Sequence, residues 1–250
     1  MKKALLFGAS GFVGSFLLKE LLLAREYDRV TVVVRKELVY NDPKLKQLVG
    51  DYGSLPGLAD AIEADDVFIA LGTTKKKTPD KRQYYTVDHD YPVLAARIAR
   101  ERGASSVFLV SAVGANPESG IFYVRTKGET ERDVISLGFE DTHIFRPSIL
   151  MGERPDGRPL ETLWIRAWSV INPLLAGGLA RFRGMEAPDI AGAMVAAAAK
   201  PGSPEVAIYQ GPERNALLQD RAHADPGWTF HNSSVRKPVE NMPSLAKHPG

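Results

Sequence analysis

The chain contains no cysteine, which excludes a disulfide framework, a thiolate nucleophile and a zinc–thiolate site. It also lacks any apolar run of the roughly 18 residues that a membrane span requires. The stretch 160–179 comes nearest and is interrupted by Glu161, Arg166 and Pro173. Charge of one sign is nearly balanced: 32 Lys and Arg against 30 Asp and Glu leave +2 over 250 residues, so neither nucleic acid nor a membrane is an expected partner. No signal-peptide pattern precedes the first apolar segment, Ala4-Leu5-Leu6-Phe7. Together these absences point to a cytoplasmic protein acting on a small molecule. The remaining composition, 44% hydrophobic and 25% charged, is that of a globular chain long enough for one substantial core.

Short apolar segments alternate with helical patterns. Strands are expected at 4–7, 30–34, 47–49, 67–71, 107–110 and 142–145, with helices near 11–25, 55–62, 87–102 and 123–137. A run such as Val30-Thr31-Val32-Val33-Val34 suits a strand covered on both faces. The alternation predicts an α/β fold, a doubly wound parallel sheet with helices on both faces. After Arg146-Pro147 the pattern changes to a Trp- and Leu-rich helix near 160–171, Gly177-Gly178, an alanine-rich helix at 188–200 and a strand at 206–209. Residues 148–187 are expected to form a small C-terminal cap over the carboxyl edge of the sheet, where ligands of such folds bind. Leu163, Trp164, Trp168, Leu174 and Leu175 in this region have the spacing of core packing, with an apolar substrate or a homodimer contact as alternatives. One domain is thus expected over 1–212. Residues 213–250 have the composition of a disordered or loosely packed tail, and the spacing of His223, His231 and His248 matches no metal-ligand set.

Directly after the first strand comes Gly8-Ala9-Ser10-Gly11-Phe12-Val13-Gly14, followed by Ser15-Phe16-Leu17-Leu18-Lys19-Glu20-Leu21-Leu22 in helical period. Gly8 lets the chain turn, Gly11 lets backbone approach a diphosphate, and Gly14 lets the helix pack closely on the sheet. The N–H groups and dipole at the helix start favour phosphate charge. Strand before and helix after make this a dinucleotide site, with Ser10, Phe12 and Val13 in the loop. At the end of the second strand, Val34-Arg35-Lys36 offers no acid for a ribose 2′-hydroxyl before Glu37. A guanidinium at Arg35 can grip a 2′-phosphate, which predicts NADP(H) in preference to NAD(H). Asp51, after the third strand, is a candidate acceptor for the adenine amino group or a turn residue. Leu71, Gly72 and Thr73, after the fourth strand, are placed along the cofactor's ribose and diphosphate. Lys75-Lys76-Lys77 follows, read as a solvated loop with attraction for a substrate or phosphate as the second reading.

Ser111 ends the fifth strand, and Tyr123 and Lys127 lie four residues apart at a helix start, on one face. A cation beside a phenol favours the phenolate and is expected to lower its pKa from about 10, making Tyr123 a general acid/base. The spacing alone is cheap, because Tyr40 and Lys44 share it. Pro43 removes that second pair from a helix interior, so placement after the fifth strand decides for Tyr123. Ser111, Tyr123 and Lys127 are therefore the candidate catalytic residues, with no metal.

In the order Gly8 through Gly14, Leu71-Gly72-Thr73-Thr74, Val87-Asp88-His89-Asp90-Tyr91, Ser111 with Gly114-Ala115, Tyr123 through Glu129, and Phe145-Arg146-Pro147, the chain resembles the atypical branch of the short-chain dehydrogenase/reductase superfamily. Within it the chain looks most like the Tat-interactive-protein oxidoreductases and their bacterial relatives, over about residues 1–212. The resemblance implies an NADP-binding Rossmann fold in which Tyr123 donates a proton to a carbonyl as hydride arrives. It also implies that Lys127 holds the nicotinamide ribose, that Ser111 orients the substrate oxygen, and that Pro147 and Ile149 line the nicotinamide pocket. Asp88 departs from the superfamily pattern, standing where many members carry an asparagine for a proton relay. The expected activity is an NADP-dependent oxidoreductase on a small carbonyl or alcohol. The alternatives are an NADPH-binding regulator or sensor with little turnover, and a nucleotide-sugar epimerase or dehydratase.

Overall fold

A computed structural model describes residues 1–148, 150–151, 185–200, 205–211 and 215–219. Most of the expected cap, Ile149 and nearly all of the expected tail lie outside the described residues. The main sheet has seven strands in the order β3-β2-β1-β4-β5-β6-β9. They are β1 (Lys2–Phe7), β2 (Tyr27–Val34), β3 (Leu45–Val49), β4 (Asp66–Ile69), β5 (Ser106–Val110), β6 (Asp141–Phe145) and β9 (Val206–Tyr209), and every neighbouring pair is parallel. Two short strands, β7 (Leu150–Met151) and β8 (Met185–Glu186), pair with each other. The helices are α1 (Phe12–Leu23), α2 (Leu55–Leu58) continued by a 3-10 turn, α3 (Lys81–Tyr85), α4 (Tyr91–Glu101), α5 (Phe122–Ile135) and α6 (Ala187–Ala198). This is the Rossmann-like sheet that the strand–helix alternation predicts.

The period of two along β1 divides the core. Ala4 and Leu6 face α1 and α6 with Leu17, Leu21, Ile190 and Met194, while Leu5 and Phe7 face α4 with Val93, Ala96 and Ala99. All of these except Val93 are at most 2% exposed, and burying each large aliphatic or aromatic side chain contributes about 1.5–3 kcal/mol. At the amino edge of the sheet, the fully buried Asp66 accepts from Tyr27 Oη and, at 3.1 Å, from Lys2 Nζ. Burial and the neighbouring Asp66 charge hold the Tyr27 phenol far above its ordinary range. The carboxyl edge, opposite, carries the loops that form the site.

Most boundaries shift from expectation by a few residues, β1 and β2 starting earlier at Lys2 and Tyr27, and two of the differences bear on the site. β4 ends at Ile69, two residues early, and beyond it the Ala70 carbonyl lies against Gly8 of the glycine loop. The fourth crossover starts earlier, with α3, and passes through a π-helical turn, Thr86–Asp90, before α4. Pro92 is the cause we assign to this turn: it has no N–H to offer the carbonyl four residues back, that of Asp88. Thr130 Oγ1 reaches that carbonyl instead, at 2.9 Å, from α5.

Candidate active site

Gly8 leaves β1 with φ +90°, and a Cβ there would stand 2.5 Å from the carbonyl oxygen of Ala70. Gly14 is under a harder constraint: its Cβ would fall 2.0 Å from the Gly8 carbonyl oxygen. The two glycines therefore fold the loop tightly back on itself and bring the start of α1 to the sheet edge. No side chain caps α1 at Gly11, and its first turn has no acid to offset the positive end of the helix dipole. This fits a diphosphate. Gly11, Phe12 and Val13 line a cleft of about 700 Å³, which continues past Ala70, Leu71, Gly72 and Thr73 to Ser111, Tyr123, Lys127 and Pro147. Ser10 also lines it. The structure thus gathers the phosphate loop, the β4 end and the candidate catalytic residues around one cleft.

Ser111 sits beyond β5, its N–H donating to the Phe145 carbonyl at 2.7 Å. Among the described residues its Oγ is a buried side-chain oxygen with no hydrogen-bond partner, an arrangement that costs about 1–3 kcal/mol until something in the cleft supplies one. Lys127 is buried, and its Nζ pairs with Asp88 Oδ1 at 2.8 Å. The other oxygen of Asp88 accepts from the Thr73 backbone N–H at 2.7 Å. One carboxylate thus fixes both the lysine and the β4 loop. A Cβ on Gly72 would lie 3.4 Å from Asp88 and 3.7 Å from Lys127 Nζ, so this residue forms the cleft-side cover over the pair.

The expected lowering of the Tyr123 pKa is overturned. Burial of the phenol inside the cleft raises it above its ordinary value, Lys127 pulls it down, and Asp88 pushes it up again. The lost hydration outweighs the Lys127 charge, and the carboxylate of Asp88, paired with that lysine, adds to the rise. Tyr123 is 43% exposed and lines the cleft.

Other predicted residues fall elsewhere. Gly8 and Gly14 shape the loop without lining the cleft. Arg35 is exposed at the end of β2, where its charge acts on the hydroxyl of Tyr52. Val34 pairs with Val49 across β2 and β3, which places Arg35 and Asp51 at neighbouring strand ends. Asp51 Oδ1 accepts from the Ser54 backbone N–H at 2.9 Å, and this turn holds its carboxyl below the usual range. Ile149 lies outside the described residues.

Three contributors were not among the expected site residues. Tyr84, on α3, packs edge-on against Phe122 with centroids 5.8 Å apart, and burial followed by the nearby Asp88 charge raises its phenol above the ordinary range. Arg146 grips the buried Glu131 with both arms of its guanidinium, tying the end of β6 to α5 and so fixing the helix that carries Tyr123. Pro92, through the π turn, sets the position of Asp88. Only Pro92 had a signal that could have been read, a proline inside a helical pattern.

A parallel sheet in this order, with an uncapped helix start behind a glycine loop and a Ser–Tyr–Lys cleft, defines a Rossmann-type nicotinamide-dinucleotide protein. The chain belongs to the NAD(P)H-binding family, matched over residues 8–160, and is an atypical short-chain dehydrogenase/reductase resembling HTATIP2. Protein HTATIP2 of Rattus norvegicus is 35% identical over 166 residues, 65% of this chain and 68% of that protein. Protein FMP52, mitochondrial, of Eremothecium gossypii is 34% identical over 151 residues, 60% of this chain and 67% of that protein. Among solved structures, MoeE5 in complex with UDP-glucuronic acid and NAD superposes with a TM-score of 0.62 at 18% identity, over 90% of this chain and 82% of that one. WbmH of Bordetella bronchiseptica, in complex with NAD+, gives 0.62 at 17% identity, over 92% and 84%. At these identities the likeness is one of fold. The relatives overturn the expected cytoplasmic location, since FMP52 proteins from several fungi are named mitochondrial. Among the described residues no helix is long and apolar enough to cross a membrane.

Proposed function

We propose that this protein is an NADP-dependent oxidoreductase that interconverts a small carbonyl compound and its alcohol. The observation that carries the proposal is the buried Ser111 Oγ, unpartnered among the described residues, in the same cleft as Tyr123 and Lys127. A carbonyl oxygen placed there would accept from Ser111 and Tyr123 together. A phenol held above its ordinary pKa is protonated at neutral pH, which suits the donor role in reduction. Lys127, fixed by Asp88, presents its ammonium to the nicotinamide ribose. The glycine loop and the start of α1 hold the diphosphate, and Arg35 takes the 2′-phosphate. The bound nicotinamide supplies the hydride.

The first test is a thermal-shift comparison of NADPH, NADP, NADH and NAD, since a ligand selective for the folded state raises its melting point. NADPH should give the largest shift, and an equal shift with NADH would remove the 2′-phosphate reading. Tyr123→Phe should keep NADPH binding and lose at least about 100-fold in turnover, the size of a general-acid contribution. Unchanged turnover would sink the mechanism. Tight NADPH binding without turnover on a panel of carbonyl compounds would favour a regulator or sensor instead. A nucleotide-sugar epimerase or dehydratase is the reading favoured by the UDP-sugar-bound neighbour, and interconversion of UDP-sugars without net nicotinamide consumption would replace the present one.

A further inference from the structure

His89 sits in the π turn beside Asp88 and is 9% exposed. Its two ring nitrogens meet two different carboxylates: Nδ1 lies 2.9 Å from Asp90 Oδ1, and Nε2 lies 3.0 Å from Asp133 Oδ2 on α5. A neutral imidazole carries one N–H, so it would set a bare nitrogen lone pair against one of these anions. The imidazolium has an N–H at each nitrogen and satisfies both, with the stronger bonds of an ionised donor. The surroundings favour that charge. From its own turn His89 faces Asp90, while Asp88 is engaged by Lys127. From α3 the Tyr85 ring stacks on the imidazole with centroids 4.5 Å apart, and burial and a hydrogen bond to Glu129 push that phenol up to about 12. From α5 come Asp133 and Glu129, with Arg132 bonded to the other oxygen of Asp133 at 2.7 Å and Arg125 3.9 Å from Glu129. Arg132 first, then the bond from His89, holds the Asp133 carboxyl below its usual range. The first residue of α4, Tyr91, stacks on Tyr52 instead. Asp90, Glu129 and Asp133 outnumber Arg125 and Arg132, and the imidazolium makes up the difference.

The turn is fastened to α5 through Lys127, which takes the Asp88 carboxylate, Thr130, which takes the Asp88 carbonyl, and Asp133, which takes the His89 ring. These α5 residues recur at three-residue intervals and so share one side of the helix. We propose that His89 is a positioning residue for the active site: as an imidazolium it straps the π turn to α5 and keeps the Asp88 carboxylate on Lys127. Loss of its proton gives up one of the two carboxylate bonds and loosens that hold. The proposal rests on the reading above in which Lys127 holds the nicotinamide ribose, so the strap is felt as cofactor affinity.

Proton–nitrogen correlation spectra of the native protein, with His89 assigned by its absence in His89→Gln or His89→Arg, read the ring directly. Both ring nitrogens should be protonated at mildly acidic pH, and one should lose its proton as the pH is raised. NADPH affinity is measured calorimetrically over the same range for the native protein and both variants. The three are compared at each pH, so that ionisation of the cofactor's own phosphate cancels. The native affinity should match that of His89→Arg at low pH and fall about tenfold toward that of His89→Gln as the proton leaves, the size of one charge-assisted hydrogen bond. His89→Arg keeps a cation with several donors at every pH and should hold the higher affinity throughout. A neutral imidazole at mildly acidic pH overturns the proposal whatever the variants do. So do equal affinities of the three proteins at every pH, even with a lower melting temperature in His89→Gln, which would make His89 a packing residue only. An arginine variant as weak as the glutamine one overturns it too. The expected affinities without turnover of any carbonyl compound support the strap and overturn the oxidoreductase reading alone.

Discussion

Asp88→Asn tests the arrangement of the site most directly, because it changes one atom's identity and removes one charge. Asp88 and Lys127 are 1% and 8% exposed and meet at 2.8 Å. At an effective dielectric of about 20 their gross attraction is about 6 kcal/mol, of which desolvation of both ions returns a large part. Removing one partner is different from removing both, since it strands the other charge and costs about 3–5 kcal/mol. Asparagine keeps an oxygen that can accept from the Thr73 N–H, so the expected cost is at the lower end, about 3 kcal/mol. For a chain of this size that corresponds to a fall in melting temperature of about 6–12 °C. Asp88→Ala abandons the Thr73 N–H as well and should cost about 1–3 kcal/mol more. Asp88→Asn combined with Lys127→Met removes the stranded ammonium and should be more stable than Asp88→Asn alone. Denaturant titration of these four proteins and of Lys127→Met alone measures the differences and closes the cycle. An Asp88→Asn variant within about 0.5 kcal/mol of the native protein, or strictly additive single effects, would refute the buried ion pair. The same substitution removes the carboxylate that raises Tyr123 and releases the Lys127 charge toward it. The phenol should then ionise at lower pH, visible as a phenolate absorbance difference against a Tyr123→Phe background.

Gly14→Ala places a Cβ 2.0 Å from the Gly8 carbonyl and should cost more than about 2 kcal/mol along with NADPH affinity, whereas Gly57→Ala, with nothing within 4 Å, should be near neutral in the same melts. Burial between the Phe108 and Tyr209 rings holds the His143 imidazole down at about 4, so the native protein excludes a proton that the unfolded chain takes up. The corresponding stability is whole above pH 6.5 and lost as pH falls toward 4, about 3 kcal/mol in total; His143→Gln should flatten that part of the stability profile, and an unchanged slope would rule out a neutral His143. Arg35→Ala should weaken NADPH at least about tenfold more than NADH, as measured by calorimetry, and equal losses would mean that Arg35 does not contact the 2′-phosphate.

The strands were legible because each is short, apolar and bounded by turn residues, and their alternation with helices made the sheet parallel, while the strand order came from the structure. β9 lies within the expected limits, 206–209, for the same reason. The Tyr123–Lys127 pair was legible only through its place after β5, since Tyr40 and Lys44 repeat the spacing. Asp88 had been noted as a departure from a pattern, but its partner had not, because 39 residues and two secondary elements separate it from Lys127. The lysine loop had a plain reading as solvated charge, and nothing local placed Lys77 on the cleft.

By itself the amino-acid sequence determined what depends on neighbours in the chain. Hydrophobic period built the elements, the glycines shaped the loop, and helical spacing stacked Tyr123 over Lys127. Only the tertiary structure decided the electrostatics. Whether Lys127 acidifies Tyr123 depends on what else touches the ammonium, and that is a carboxylate carried by a π turn which Pro92 and Thr130 hold open. Charge–charge energies are set by distance and burial, quantities that a sequence pattern does not contain.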